Sequence, residues 1–210
     1  DWLNHLVVPK IMHLNQIRVL RAIPSPPQYD FNKINQALWI LECDEQGKQG
    51  TAFMLDGIGL ITCQHVLGTT TVAFKADKPN HKFPITVQKQ NAIIDLAICR
   101  IDAPISASLT RGSADHLKQM AHIAVAGFPN YRVGDSGVII PGLVVGFRMI
   151  SGIRRILTNA PIVAGNSGGP VLDGANQVIG IAVTGADRME NAIETENHSI
   201  VPIDALNFLN

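Results

Sequence analysis

The sequence predicts an all-β protein of two six-stranded antiparallel barrels, with an N-terminal extension and a short C-terminal helix. Three observations predict it. Short runs rich in Val, Ile, Thr and Phe recur along the chain, separated by Gly, Asp, Asn and Pro. The runs fall into two groups of about six strands, split by the polar segment 103–119. Apolar residues make up 46% of the 210 residues and charged residues 16%, the balance of a packed globular chain.

The elements follow in order. Residues 1–29 read as a helical extension, because Leu3, Leu6, Val7, Ile11, Leu14, Ile17 and Leu20 keep a rough helical spacing and Pro9 begins or interrupts it. It is an arm packed on the barrel surface, a dimerisation arm, or the end of a preceding domain. Pro24-Ser25-Pro26-Pro27 then forms a stiff connector. Residues 30–210 form the main domain, with barrel one at about 37–102, a linker at 103–119 and barrel two at about 120–205. Strands are expected at about 37–43, 50–55, 58–63, 70–75, 83–88 and 93–101, then 121–126, 137–149, 154–158, 170–173, 177–184 and 198–203. Asp56-Gly57, Gly134-Asp135 and Asp173-Gly174-Ala175-Asn176 supply turns between them. Pro202 to Leu209 starts the closing helix, with Asp204 able to cap it.

Bulk properties exclude several classes. Seventeen basic residues balance 17 acidic ones without a basic run, so neither nucleic acid nor an anionic membrane is expected as the main partner. No stretch reaches the ~18–20 uninterrupted apolar residues of a spanning helix. Cys43, Cys63 and Cys99 are odd in number and lack a metal-like spacing. They read as small buried residues, which favours a reducing, cytoplasmic compartment slightly. No cofactor and no metal are expected.

The hexapeptide Gly165-Asn166-Ser167-Gly168-Gly169-Pro170 carries the most information. Glycines on both sides leave the Ser167 hydroxyl uncrowded and let backbone N–H groups converge beside it, as an acyl-transfer nucleophile needs. Upstream lie His65, in Ile61-Thr62-Cys63-Gln64-His65, and Asp95, in Ile94-Asp95-Leu96-Ala97. Any one alone reads as an ordinary strand-end or loop residue. Together, in the order His65, Asp95, Ser167, they read as a triad, with the N–H groups of Gly165 and Ser167 as an oxyanion hole. The same glycine–serine string also describes the nucleophile elbow of an α/β-hydrolase, with Asp187 and His198 as partners. That alternative fails, because Gly168-Gly169-Pro170 is a poor helix start and only about forty residues follow Ser167. A thiol protease fails too, because no cysteine stands in place of Ser167.

The chain resembles trypsin-like serine peptidases of the chymotrypsin fold, in the disulfide-free HtrA/Deg branch. The match rests on Gly50-Thr51-Ala52-Phe53-Met54-Leu55 with Ile61 to His65, on Asp95 to Ile101, on the hexapeptide, and more weakly on Val178 to Gly185. The resemblance implies that Pro161, Ile162 and Val163 form one wall of the S1 pocket. It implies that Val183, Thr184 and Gly185 pair with the substrate backbone. Pro161 stands where trypsins carry an aspartate, so an apolar P1 residue is expected. His198 falls on the far pocket wall, where it accepts an acidic P1 side chain, fills the pocket, or is a partly exposed strand residue. Asn166 replaces the acid that pairs with the freed N-terminus of secreted trypsins. HtrA-like members order the oxyanion loop through a long regulatory loop, whereas Phe147 to Ala164 is short here.

The expected activity is therefore peptide-bond hydrolysis by a regulated serine endopeptidase acting through an acyl-enzyme. The competing reading is a chaperone-like or scaffold protein that keeps the fold with little turnover. The expected partners are a protein or peptide substrate and an activating partner or additional domain.

Overall fold

The computed structural model describes residues 27–184 and 199–209. The expected N-terminal helix (but for its last residues), Gly185 and His198 lie outside them. The first element among the described residues is a helix that the sequence reading passed over, α1 (Phe31–Ala37). Asp30 starts it by accepting a bond from Lys33 N (3.0 Å), and Asp30 N in turn donates to Asn176 Oδ1 (2.8 Å).

Barrel one closes through β1 (Leu38–Cys43), β2 (Lys48–Leu55), β3 (Gly59–Thr62), β4 (Thr71–Lys75), β5 (Lys78–Asn91) and β6 (Leu96–Ile101), in the order β1-β2-β3-β6-β5-β4. Two strands differ from expectation. β5 extends well beyond 83–88 because it forms a long hairpin with β4 and then pairs along β6. The strand expected from 93 starts at Leu96, because Asp95 takes φ 62 in the preceding turn.

The linker is more structured than its polarity suggests. It carries β7 (Thr110–Arg111), which lies parallel to a strand of barrel two, and Leu109 is buried and bridges to Leu55. Barrel two follows with β8 (His122–Gly127), β9 (Val138–Ile150), β10 (Ile153–Thr158), β11 (Pro170–Leu172), β12 (Gln177–Thr184) and β13 (Ser199–Pro202). Its six strands close through the β11–β12 pairing. The β9–β10 hairpin turns on Ser151 and Gly152, with φ 52 and 76, the left-handed pair that suits a two-residue turn.

The closing element is a 3-10 helix, Ile203–Phe208, rather than an α-helix. Asp204 does not cap it. Its carboxylate accepts from Ala114 N (2.9 Å) instead, tying the chain's end to the linker.

Two apolar clusters form the core. The larger fills barrel one and continues across the junction through Ile153, Leu172, Ile181, Val183 and Val201 of barrel two. The smaller fills barrel two around Ile123, Val125, Ile156, Ile162 and Ile200. The barrels therefore share a packed apolar cluster across their junction, which holds any site between them rigidly. Cys43, Cys63 and Cys99 are free and buried, as expected of core residues. No helix among the described residues is long and apolar enough to cross a membrane.

Lys75 is the unusual charge of barrel one. Its ammonium donates to Gln36 O (2.6 Å) and Leu38 O (2.7 Å), capping the end of α1, and lies 4.0 Å from the centre of the Trp39 ring. Burial lowers its pKa from 10.5 to about 8, against a weaker opposing pull from Asp77. The unfolded chain then holds more protons than the folded one between pH 8 and 10.5, so this group makes stability rise with pH over that window. Urea unfolding of wild type and Lys75→Met at several pH values checks this. The wild type gains stability across the window relative to the variant; parallel pH profiles would contradict the assignment.

Candidate active site

His65 sits on the 3-10 turn Gln64–Val66 that ends β3. Asp95 closes the turn before β6, and its left-handed backbone, φ 62, is one that aspartate tolerates better than most side chains. That conformation folds the carboxylate back onto the histidine. Oδ1 accepts the His65 backbone N–H at 2.9 Å, and Oδ2 meets His65 Nδ1 at 2.6 Å. One carboxylate thus fixes both the main chain and the ring. A neutral imidazole held this way carries its proton on Nδ1 and leaves Nε2 basic. The ring is 44% exposed, whereas Asp95 is only 18% exposed.

Ser167 comes from barrel two, half-buried on the loop between β10 and β11. Its hydroxyl donates a long bond to Val183 O (3.4 Å) rather than to the His65 ring. The loop is sewn to both barrels. Thr51 N donates to Ser167 O (2.9 Å), Gly168 N to Ala182 O (2.8 Å) and Ala182 N to Gly169 O (2.9 Å). Gly168, at φ 88, has no room for a side chain, because a Cβ would collide with Thr51 O and Thr62 Oγ1.

The turn at Gly165 is held from two sides. Thr51 Oγ1 donates to Gly165 O (2.6 Å), and Asn130 N donates to Ala164 O (2.9 Å). A trans peptide directs its N–H opposite to its carbonyl, so pinning Ala164 O against Asn130 turns the Gly165 N–H the other way. Among the described residues, the N–H groups of Gly165 and Ser167 donate to no other group. They are two unspent donors on either side of Asn166. The Asn166 side chain is fully buried and has no hydrogen-bond partner among the described residues. An aspartate there would be a buried charge needing a paired cation, a cost that the neutral amide avoids.

Three residues that sequence reasoning did not assign to the site help to build it. Thr51 is a buried hydroxyl between barrels, and its signal was a polar residue inside an apolar strand. Cys63, read as core, donates to Ala182 O (3.3 Å) and lies beside Asp95. Burial, reinforced by Asp95, raises its thiol pKa well above 9.0. Arg155 of β10 is only 5% exposed and its Nε has no partner among the described residues. Burial lowers its pKa, while Asp95 and then Cys63 pull it back up, which places a buried cation within electrostatic reach of the His65–Asp95 pair.

The other expected site residues fall as follows. Pro161 is half-buried, Ile162 belongs to the barrel-two core, and Val163 is buried. Val183 lies on β12 with its carbonyl at Ser167, and Thr184 pairs with Ser199.

A profile of the trypsin-like peptidase domain matches residues 50–181, well over half of the chain. The chain belongs to this family. Among curated relatives it is 29% identical over 147 residues to a probable periplasmic serine endoprotease, DegP-like, from Chlamydia pneumoniae. That alignment covers 65% of this chain but only 29% of the relative, so the chain spans under a third of that protein's length. Among solved structures, HtrA-type protease AlgW with a tripeptide superposes with a TM-score of 0.70 at 22% identity, covering 84% of this chain and 60% of that one. Rv3671c protease from M. tuberculosis in its active form gives 0.69 at 17% identity, covering 88% and 86%. These likenesses show the fold of an HtrA-type, trypsin-like peptidase domain.

Thr51→Val keeps the shape of the side chain but removes the hydroxyl that holds Gly165 O. Leaving that carbonyl and the Phe128 N–H (3.0 Å from Thr51 Oγ1) unsatisfied costs about 1–3 kcal/mol each, less than a typical domain stability of about 5–15 kcal/mol. The variant is expected to fold yet react with a fluorophosphonate at least about tenfold more slowly, and Thr51→Ser to recover most of the rate. An unchanged rate in Thr51→Val would remove the hydroxyl from this role.

Proposed function

We propose that this domain is a serine endopeptidase that cleaves peptide bonds through an acyl-enzyme. The observation that carries the reading is the pair of unspent N–H groups at Gly165 and Ser167, taken with the His65 ring that Asp95 holds. In this mechanism His65 Nε2 takes the Ser167 proton as Oγ attacks the carbonyl carbon. Asp95 keeps the ring in its reactive tautomer and stabilises the imidazolium that forms. The Gly165 and Ser167 N–H groups receive the charge developing on the carbonyl oxygen. His65 then returns the proton to the leaving amine, and water repeats the sequence in reverse to release the acid.

The donors are held by Thr51 and Asn130, both inside the domain. The reading is therefore a site competent at rest, on which an activating partner or additional domain acts by controlling access. Pro161 and the absence of an acid in the matching pocket wall favour an apolar P1 side chain. Gly185 and His198 complete the proposed substrate-binding set. No observation favours the scaffold alternative over catalysis.

The test is fluorophosphonate labelling of the isolated domain, followed by cleavage of a peptide library. Wild type is expected to label, and Ser167→Ala not to. Ser167→Ala or His65→Ala should lose on the order of 10⁶ in kcat, and Asp95→Asn about 10⁴. Absence of labelling in a folded wild type would overturn the resting-competence reading. Labelling that survives Ser167→Ala would overturn the assigned nucleophile. A library dominated by basic P1 residues would overturn the pocket assignment.

A further inference from the structure

Cys63 is the one nucleophilic group at this site that the mechanism leaves idle. The sequence gives the cysteines no metal-like spacing, yet the fold brings one of them to a histidine and a carboxylate. Cys63 Sγ, a ring nitrogen of His65 and a carboxylate oxygen of Asp95 all lie within 4.8 Å of one another. Cys63 and His65 are two residues apart, while Asp95 arrives from the β5–β6 turn thirty residues on. Thiolate, imidazole and carboxylate are the ligand types that Zn²⁺ takes, at bond lengths of roughly 2.0–2.3 Å. Ligand atoms around such an ion sit between roughly 3 and 4 Å apart, so the cluster needs only a small inward movement.

We propose that Cys63, His65 and Asp95 form a reversible inhibitory site for a thiophilic divalent cation of the Zn²⁺ type. The proposal rests on the catalytic reading of His65 and Asp95. Binding exchanges one set of bonds for another. The ion replaces the Cys63 S–H proton, which leaves to solvent, and replaces the Nδ1–H···Oδ2 hydrogen bond. The ring proton moves from Nδ1 to Nε2. His65 then has no basic nitrogen for Ser167, and the catalytic pair is switched off without any change in fold. The ion reaches the cluster past the His65 ring, its exposed wall. The thiolate and carboxylate together neutralise the dication, so the coordinated set presents no net charge to Arg155. The cost is the attraction that Arg155 now has for Asp95, which keeps binding reversible.

Two readouts on the full chain test this. First, the rate of fluorophosphonate labelling is measured against Zn²⁺ concentration, with Mg²⁺ as the hard-cation control. Zn²⁺ is expected to slow labelling of wild type, a chelator to restore it, and Mg²⁺ to have no effect. Each variant is compared with its own metal-free labelling rate, and Cys63→Ala and Cys63→Ser should need at least about 10–100-fold more Zn²⁺ than wild type for the same proportional slowing. Second, Cd²⁺ is titrated into Ser167→Ala, which needs no activity to report. A thiolate-to-Cd²⁺ ultraviolet absorption band should appear there and be absent from Ser167→Ala combined with Cys63→Ser, with circular dichroism confirming that both are folded. Equal Zn²⁺ sensitivity with and without Cys63, inhibition by Mg²⁺ as strong as by Zn²⁺, or a missing Cd²⁺ band would each overturn the site. Failure of wild type to label without metal, beside a normal Cd²⁺ band, would instead count against the catalytic reading alone.

Discussion

Thr51 is the post on which the geometry between the barrels depends. Its backbone N–H holds Ser167 O, its hydroxyl donates to Gly165 O and accepts from Phe128 N, and its carbonyl accepts from Thr62 Oγ1. One buried residue of β2 thus reaches the Ser167 loop, the Gly165 turn, the loop after β8 and the strand that leads into the His65 turn. All four bonds are out of water, where an unmade bond costs about as much as two made ones gain. The arrangement is therefore close to all-or-none. The collision that any Cβ at Gly168 would meet against Thr51 and Thr62 shows how closely the two barrels approach there.

The same post explains how the turn at Gly165 is ordered without two devices found elsewhere among trypsin-like folds. Asn166 sits buried and neutral, so no ion pair with a chain terminus is needed. The β9–β10 connection is a tight Ser151-Gly152 turn rather than a long loop. Order comes instead from Thr51 on one side and Asn130 on the other, both short-range and internal. Asn130 belongs to the loop Phe128–Gly137, whose Phe128 and Tyr131 rings pack edge to face 5.7 Å apart. The Gly165 turn is thus braced by an aromatic cluster that continues to Phe74 of barrel one through Tyr131.

Electrostatics under the site are arranged around Asp95. It is mostly buried, so its charge needs compensation, and two bonds from His65 supply most of it. Arg155 adds a buried cation within reach from barrel two. Cys63 adds a thiol held neutral by burial and by that same carboxylate. Each barrel therefore contributes charge here, Asp95 from barrel one and Arg155 from barrel two, and the balance exists only while the barrels are docked.

The sequence by itself determined twelve of the thirteen strands, the two-barrel division and the order His65, Asp95, Ser167, because alternation, turn residues and glycine spacing act over a few residues. It did not reveal β7 or α1. Two residues of parallel pairing and a seven-residue helix carry too little periodic signal to stand above a polar linker. It placed the short closing helix but misassigned Asp204, which has the chemistry of a cap and instead serves Ala114 N, a partner 90 residues away. Tertiary structure alone decided the roles of Thr51, Asn130, Cys63 and Arg155. Nothing near them in sequence says what they face, since the partners of the Thr51 hydroxyl and the Cys63 thiol are 77 to 119 positions distant, and Asn130 N reaches Ala164 O in another loop. Local patterns can specify a strand and a motif, but which buried polar groups meet across a barrel interface is fixed only when the chain closes on itself.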